Sequence, residues 1–303
     1  MSEATRLQRH VAASTGSVAA LVDELARFLA ASLPGREATL EAREIVAALY
    51  DVPRFWPAAN AHLRVEAEMW PRARAAAEKR ARGAPLAYAV GRASFRHLTL
   101  DVDERVLIPR PETELLVDLV LDRARDSGGL AVDVGTGSGA IALALASEGS
   151  FTDVVGTDVS LDALAVASAN VEMLRARGVL RSRVSLAHGS LLKPFDRRGR
   201  CAQVIVSNPP YIAYDESREL PRDVRDWEPP VALFSGAQGL DASARLVAGA
   251  ADVLVPGGLL ALEVDARRAS LVAECIARDT RYRDVGVHLD LTGRERFVLA
   301  VCR

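Results

Sequence analysis

Two kinds of apolar spacing divide this chain. Through residues 17 to 82 apolar side chains recur every third or fourth position, with Val18, Leu21, Leu25 and Leu29 on one face and Ile45 and Leu49 on another. That is the period of helices that bury one stripe. Pro34-Gly35 and Asp51-Val52-Pro53 interrupt it and mark turns, so a small helical domain is expected over residues 1–85. From Ala93 to Ile108 the period shortens to two, through Leu98, Leu100, Val102 and Val106. This predicts a β-hairpin turning at Asp103-Glu104, within a linker of residues 86–110. In the domain expected over residues 111–303, apolar runs alternate with helical patterns, giving strands over 130–134, 153–157, 183–187, 202–206, 258–264, 284–289 and 296–301. The alternation predicts an α/β domain whose mostly parallel seven-stranded sheet carries helices on both faces. The Ala-rich stretches at 140–146 and 163–169 require only helix propensity and close packing, and Trp56, Trp70 and Trp227 read as packing residues.

Composition narrows the class. Half of the 303 residues are apolar, enough for one large core and a smaller one. The opening Met1–His10 has no apolar core of secretory type and no apolar stretch is long enough to span a bilayer; a cytoplasmic protein without membrane contact is expected, as a monomer. The three cysteines, Cys201, Cys275 and Cys302, are scattered without Cys-x-x-Cys spacing, which argues against a metal site or a disulfide framework. A formal net charge of −2 lacks the basic footprint of extended phosphate contact, so no direct nucleic-acid partner is expected. Basic clusters do occur at Arg72 to Arg82 and at Arg197-Arg198-Gly199-Arg200; they read as solvated faces, the first also as a candidate contact for an acidic or RNA-containing partner.

Candidate chemistry lies at the ends of the predicted strands. The strand 130–134 runs into Gly135-Thr136-Gly137-Ser138-Gly139 and then a helix. Glycines there let the backbone approach a ligand, and the helix start presents free N–H groups. The run is shorter than the dinucleotide pattern and lacks the Lys-Ser/Thr of a P-loop. Asp158 closes the next strand, about 20 residues on, where an acid grips the two hydroxyls of a ribose; capping the helix that begins near Leu161 is the alternative, open to Asp158 and Ser160 alike. After the strand 202–206 comes Asn208-Pro209-Pro210-Tyr211. The prolines end the ladder, turning the Asn208 oxygen and nearby carbonyls into the crevice beyond the sheet, where they can accept hydrogen bonds from a planar NH2 group while Tyr211 packs on its face. Glycine loop, acidic ribose ligand and Asn-Pro-Pro-Tyr, in that order, imply a methyltransferase using S-adenosylmethionine.

The chain resembles the release factor glutamine N5-methyltransferase family (PrmC/HemK) over most of its length after about residue 85. Besides the two motifs above, the resemblance rests on Pro85-Leu86-Ala87-Tyr88 with Gly91, Leu107-Ile108-Pro109-Arg110-Pro111-Glu112-Thr113-Glu114, Glu228-Pro229 with Ala232-Leu233, Gly236 to Asp241 and Asp290 to Arg296. It implies a class I, Rossmann-like fold and transfer of a methyl group from S-adenosylmethionine to the glutamine of the Gly-Gly-Gln motif in peptide chain release factors. It also implies that the helical domain and hairpin dock that protein. Asn208, Pro209, Pro210 and Tyr211 would hold the glutamine amide, with Arg110 on the substrate backbone and Glu114 holding the loop. Gly135 to Gly139, Asp158, Ser190, Leu191 and Asn208 would hold the cofactor. No general base is needed, and His97 and His188 carry no role. Glutamine of a ribosomal protein, and an exocyclic amine of DNA or RNA, are the alternative acceptors, and a cofactor-binding module without transfer is the non-enzymatic one. The chain departs from the family pattern at Phe95-Arg96-His97, at Ser190 where an acid is common, and at Glu263-Val264-Asp265.

Overall fold

Helical spacing in the first part of the chain translates directly into burial. A computed structural model describes residues 16–196, 199 and 201–303; the opening segment Met1–His10 and the arginines Arg197, Arg198 and Arg200 lie outside the described residues. The chain divides into two compact units, one ending at Arg92 and one from Ala93 to Arg303. The first holds α1 (Val18–Leu29), α2 (Gly35–Tyr50), α3 (Trp56–Ala59), α4 (Met69–Ala81) and α5 (Leu86–Val90). Ser17 caps α1, its hydroxyl accepting from the Ala20 N–H at 3.2 Å. Val18, Leu21, Val22, Leu25 and Leu29 then bury one stripe against Ala38, Ala42, Ile45 and Val46 of α2 and Ala73, Ala76 and Ala77 of α4. Arg80 of α4 is bidentate on Glu41 of α2 at 2.5 and 2.7 Å, and Arg74 pairs with Glu24 of α1 at 2.5 Å. Two arginines of the basic cluster are thus engaged between helices.

The second unit begins within β1 (Arg92–Phe95), which forms a hairpin with β2 (Leu98–Asp101). Its reversal is at Arg96-His97, not at Asp103-Glu104. Arg96 takes a left-handed conformation, φ 55°, and is held there from outside the hairpin: Glu114 accepts its N–H at 2.9 Å, and its guanidinium donates to Glu148 at 2.6 and 2.7 Å and lies 2.8 Å from Asp118. Period-two spacing carries no information about such distant partners. Asp103 does accept from the Val106 N–H, in a bend that leaves the hairpin.

The main sheet contains β3 (Leu130–Val134), β4 (Asp153–Asp158), β5 (Arg183–His188), β6 (Ala202–Ser207), β7 (Leu254–Glu263), β8 (Tyr282–Leu289) and β9 (Glu295–Cys302) in the order β5-β4-β3-β6-β7-β9-β8. Neighbours from β5 to β7 pair in parallel, while β9 runs antiparallel to both β7 and β8. The inner strands β3 and β6 and the second half of β7 are almost wholly apolar because both of their faces are buried, whereas β5 and β8 mix buried with exposed residues such as Arg183, Ser185, Arg283 and Asp284. Ala131, Val204, Val206 and Leu259 pack with α6 (Pro111–Arg123), α7 (Ala140–Glu148) and α8 (Leu161–Ala176), whereas Val132, Ile205, Leu260 and Leu262 pack with α11 (Asp241–Val253) and α12 (Ala269–Arg278). Between β6 and β7 the chain forms the short helices α9 (Arg222–Trp227) and α10 (Pro230–Leu233). Strand order reverses at β3 and β6, and at such a point an open α/β sheet leaves a ligand crevice beyond its carboxyl ends. Among the described residues no helix is long and apolar enough to cross a membrane.

Candidate active site

Five adjacent strands deliver their carboxyl ends to one crevice, so residues far apart in sequence meet there: Ser190 and Leu191 after β5, Asp158 at the end of β4, the glycines after β3, Asn208 after β6 and Glu263 at the end of β7. A cavity of about 310 Å³ opens among the first four, lined by Gly135, Gly137, Asp158, Ser190, Leu191, Asn208 and Pro210. Thr136, Ser138, Gly139, Pro209, Tyr211 and Arg110 do not line it.

The glycine loop is held from behind. Asp133, fully buried in β3, accepts from the Thr136 hydroxyl at 2.6 Å and the Ala142 N–H at 3.1 Å, tying the loop to the first turn of α7. Burial pushes its carboxyl up to about 7, and its Oδ1 has no partner. Gly135 and Gly137 have φ of 74° and 55°, and a methyl group added to either would meet nothing within 4 Å; they are the loop's open surface. Thr136 and Ser138 are buried, and Gly139 faces Leu143, so these three serve the loop's packing. The two roles open to Asp158 separate here. Ser160 caps α8, accepting from the Ala163 N–H at 3.1 Å, while Asp158 accepts from Gly137 and Ser160 N–H groups, both at 2.9 Å. A carboxylate has about four acceptor positions, so each Asp158 oxygen retains one for a hydroxyl. Leu191 has φ 52°, its carbonyl accepting from Thr157 at 3.2 Å. Beside Ser190, which stands 3.4 Å from the Arg245 guanidinium of α11, Arg105, Phe234 and Arg245 also line the cavity; nothing in their local sequence marks them. Bare glycine surface, a carboxylate with acceptors to spare and a mostly apolar wall fit a nucleoside with a vicinal diol.

On the other side of the crevice, Ser207 donates to the Val134 carbonyl at 2.6 Å and joins the ends of β6 and β3. Asn208 Nδ2 donates to Thr113 Oγ1 at 3.1 Å, and Thr113 donates in turn to Glu263 Oε2 at 2.7 Å. Thr113 has a single proton. Committed to the carboxylate, it offers Asn208 only a lone pair, so the NH2 of Asn208 faces inward and Oδ1 is left for an external donor. Sequence reasoning missed Thr113 and Glu263 as site residues, although Thr113 stands in the Pro109 to Glu114 block. Burial and the Glu263 carboxylate raise the Tyr211 phenol to about 12, which keeps it protonated. Arg110 donates to the buried Glu228 at 2.6 Å, joining the start of α6 to the segment between α9 and α10. Glu114 holds the hairpin turn through Arg96. Neither His97 nor His188 lines the cavity.

Residues 111–220 match the family described as Methyltransferase small domain. The release factor glutamine methyltransferase of Gloeobacter violaceus is 44% identical over 216 residues, 71% of this chain and 73% of that one. That of Moorella thermoacetica is 42% identical over 245 residues, 79% and 84% of the two chains. Among solved structures, a methyltransferase from Pyrococcus furiosus superposes with a TM-score of 0.50 at 22% identity, covering 69% of this chain and 90% of that one, a likeness of fold alone.

Proposed function

The chain belongs to the release factor glutamine methyltransferases, and on that premise we propose that Asn208 and its neighbours transfer a methyl group from S-adenosylmethionine to the side-chain amide nitrogen (N5) of the Gly-Gly-Gln glutamine of peptide chain release factors. The observation that carries this reading is the juxtaposition, across β3 and β6, of an open glycine surface with an Asn208 whose acceptor oxygen is turned outward. Gly135, Gly137, Ser190 and Leu191 bind the cofactor, with Asp158 on its ribose hydroxyls. The bound cofactor supplies an electrophilic methyl group on a sulfonium.

An amide nitrogen is a weak nucleophile because its lone pair is delocalised into the carbonyl. Asn208 Oδ1 and the Pro209 carbonyl accept the two N–H bonds of the glutamine amide, which draws electron density onto the nitrogen and aims its lone pair at the methyl group. Tyr211 packs on the amide plane as a neutral phenol. The N–C bond forms as the S–C bond breaks, and the nitrogen's extra proton leaves to water afterwards, so no side chain need act as base. Arg110, already paired with Glu228, ties the start of α6 to the segment between α9 and α10 rather than gripping substrate backbone. The helical unit, expected over residues 1–85, docks the release factor, and the enzyme works in the cytoplasm with it.

The test is transfer of labelled methyl from S-adenosylmethionine to purified release factor, beside a release factor whose Gly-Gly-Gln glutamine is replaced. Label is expected on the first alone. Asn208→Ala should lower turnover at saturating cofactor on the order of 10²- to 10³-fold, as loss of one preorganised hydrogen-bonding group does, with cofactor affinity measured beside it because Asn208 lines the cavity. Equal label on both release factors would overturn the assigned acceptor.

A further inference from the structure

We propose that Glu263, acting through the Thr113 hydroxyl, sets which way round the Asn208 side-chain amide stands, and is thereby a positioning residue for methyl transfer. This rests on the role proposed for Asn208, and its geometry comes from three side chains delivered by three different elements. Glu263 ends β7, Thr113 lies in the first turn of α6 and Asn208 follows β6. Glu263 is 1% exposed and Thr113 4%, so water does not compete for their hydrogen bonds.

The direction of the chain is a matter of proton counting. An ionised carboxylate only accepts, so the hydroxyl gives it its one proton and must accept from the Asn208 NH2; Oδ1 then points outward, as an acceptor for the substrate amide. Were Glu263 neutral, its own proton would go to Thr113 Oγ1 and the hydroxyl proton would turn to Asn208. The amide would then be stabilised in the opposite sense, presenting NH2 to an incoming NH2, donor against donor. Two settings of one network therefore correspond to a competent and an incompetent acceptor.

Glu263 is placed to switch between them. Burial above all opposes its charge, with Glu112 of α6, while the Thr113 hydrogen bond, Arg296 of β9 and Arg110, just before α6, favour it; the Tyr211 hydroxyl feels the charges of Glu263, Arg296, Arg110 and Asp265. Burial dominates, and the carboxyl is raised to about 7. Ionised Glu263 supports transfer, so turnover should fall as pH drops through that value. Asp133, also raised to about 7, stands behind the glycine loop, and its titration would show in cofactor affinity, which saturation removes.

The experiment follows kcat against pH at saturating S-adenosylmethionine and release factor, with cofactor affinity measured beside it. The wild type should show an acid limb with its midpoint near 7, and Glu263→Gln, which has no proton to gain there, should lose that limb. Thr113→Val should lose roughly 10- to 100-fold in kcat, the scale of a misaimed reacting group, at unchanged cofactor affinity. Thr113→Ser should restore both rate and limb. A second readout needs no substrate: the Asn208 side-chain NH2 resonance, assigned by its disappearance in Asn208→Ser, should titrate with the same midpoint in the wild type and not in Glu263→Gln. An acid limb that persists in Glu263→Gln, wild-type kcat in Thr113→Val, or an Asn208 resonance indifferent to Glu263 would each overturn the proposal. A wild type that methylates no release factor would overturn the functional reading instead, leaving the resonance to decide on Glu263.

Discussion

Gly239 shows how one residue remote in sequence fixes the backbone of the Tyr211 segment. A methyl group added there would stand 2.3 Å from the Tyr211 carbonyl oxygen and 2.8 Å from Arg268 Nε, at a backbone φ of 69°. Arg268 has no room to yield, since it donates to the Gln238 carbonyl at 2.6 Å and to both Glu216 oxygens at 2.9 Å. Gly239→Ala should therefore push the Tyr211 segment aside and lower turnover about a hundredfold, the cost of misplacing a reacting group by about an ångström. Cofactor affinity by calorimetry should stay at the wild-type value, because Gly239 does not line the cavity; wild-type turnover would show that the segment absorbs the clash. Site residues are legible in the sequence where their chemistry sits in one contiguous stretch or, as for Asp158, at a fixed spacing from one. Gly135, Gly137 and Asn208 can be singled out from their neighbours alone. The bond from Thr113 to Glu263 spans 150 residues and that from Arg110 to Glu228 spans 118. No local pattern ties such partners together, so the sequence does not mark Glu263 as a site residue and leaves Arg110 looking free for substrate.

At the scale of elements, β3 and β6 are the most legible strands because their apolar runs are nearly continuous and glycine or proline follows within two residues of their ends. The hairpin was legible as an element but not in its turn, which depends on Arg96, Glu114, Asp118 and Glu148 meeting across three segments. That cluster replaces backbone ease with side-chain bonds: a non-glycine residue in the left-handed region carries strain, offset by the Glu114 and Glu148 contacts. Arg96→Ala keeps the strained turn and removes the guanidinium, leaving the two carboxylates of Glu148 and Asp118 side by side. It should cost about 2–3 kcal/mol, on the scale of hydrogen bonds to charged groups, read as a lower urea midpoint for the main unit. Arg96→Gly, which relieves the backbone, should recover part of that loss. Equal stability of Arg96→Ala and wild type would mean that the hairpin is held by Phe95, Leu98 and Leu100 alone, all of them buried in the sheet's core.

Across the whole molecule, each of the two units closes its own apolar core: α1, α2 and α4 bury their stripes among themselves, and both faces of the seven-stranded sheet are covered by helices from the same unit. The cavity and the hydrogen-bonded chain from Asn208 to Glu263 draw only on residues beyond Ala93. Chemistry and docking are therefore separable in this protein if the helical unit serves the release factor. A protein of residues 91–303, cut so that β1 is kept whole, should fold, bind S-adenosylmethionine with the affinity of the full chain and methylate a short Gly-Gly-Gln peptide at the same rate. Its KM for intact release factor should rise roughly 10- to 100-fold, the effect of removing one or two strongly contributing side chains from an interface, while kcat at saturation is kept. Arg74 and Arg80 are already paired with Glu24 and Glu41, so a contribution of the basic cluster to docking rests on the exposed Arg72 and Arg82, and it should show as a ratio of the two KM values that falls as salt rises. A truncated chain with full kcat/KM on intact release factor would assign docking to the sheet unit, and a loss equal for peptide and protein would mean that the helices support the fold of the site rather than its partner.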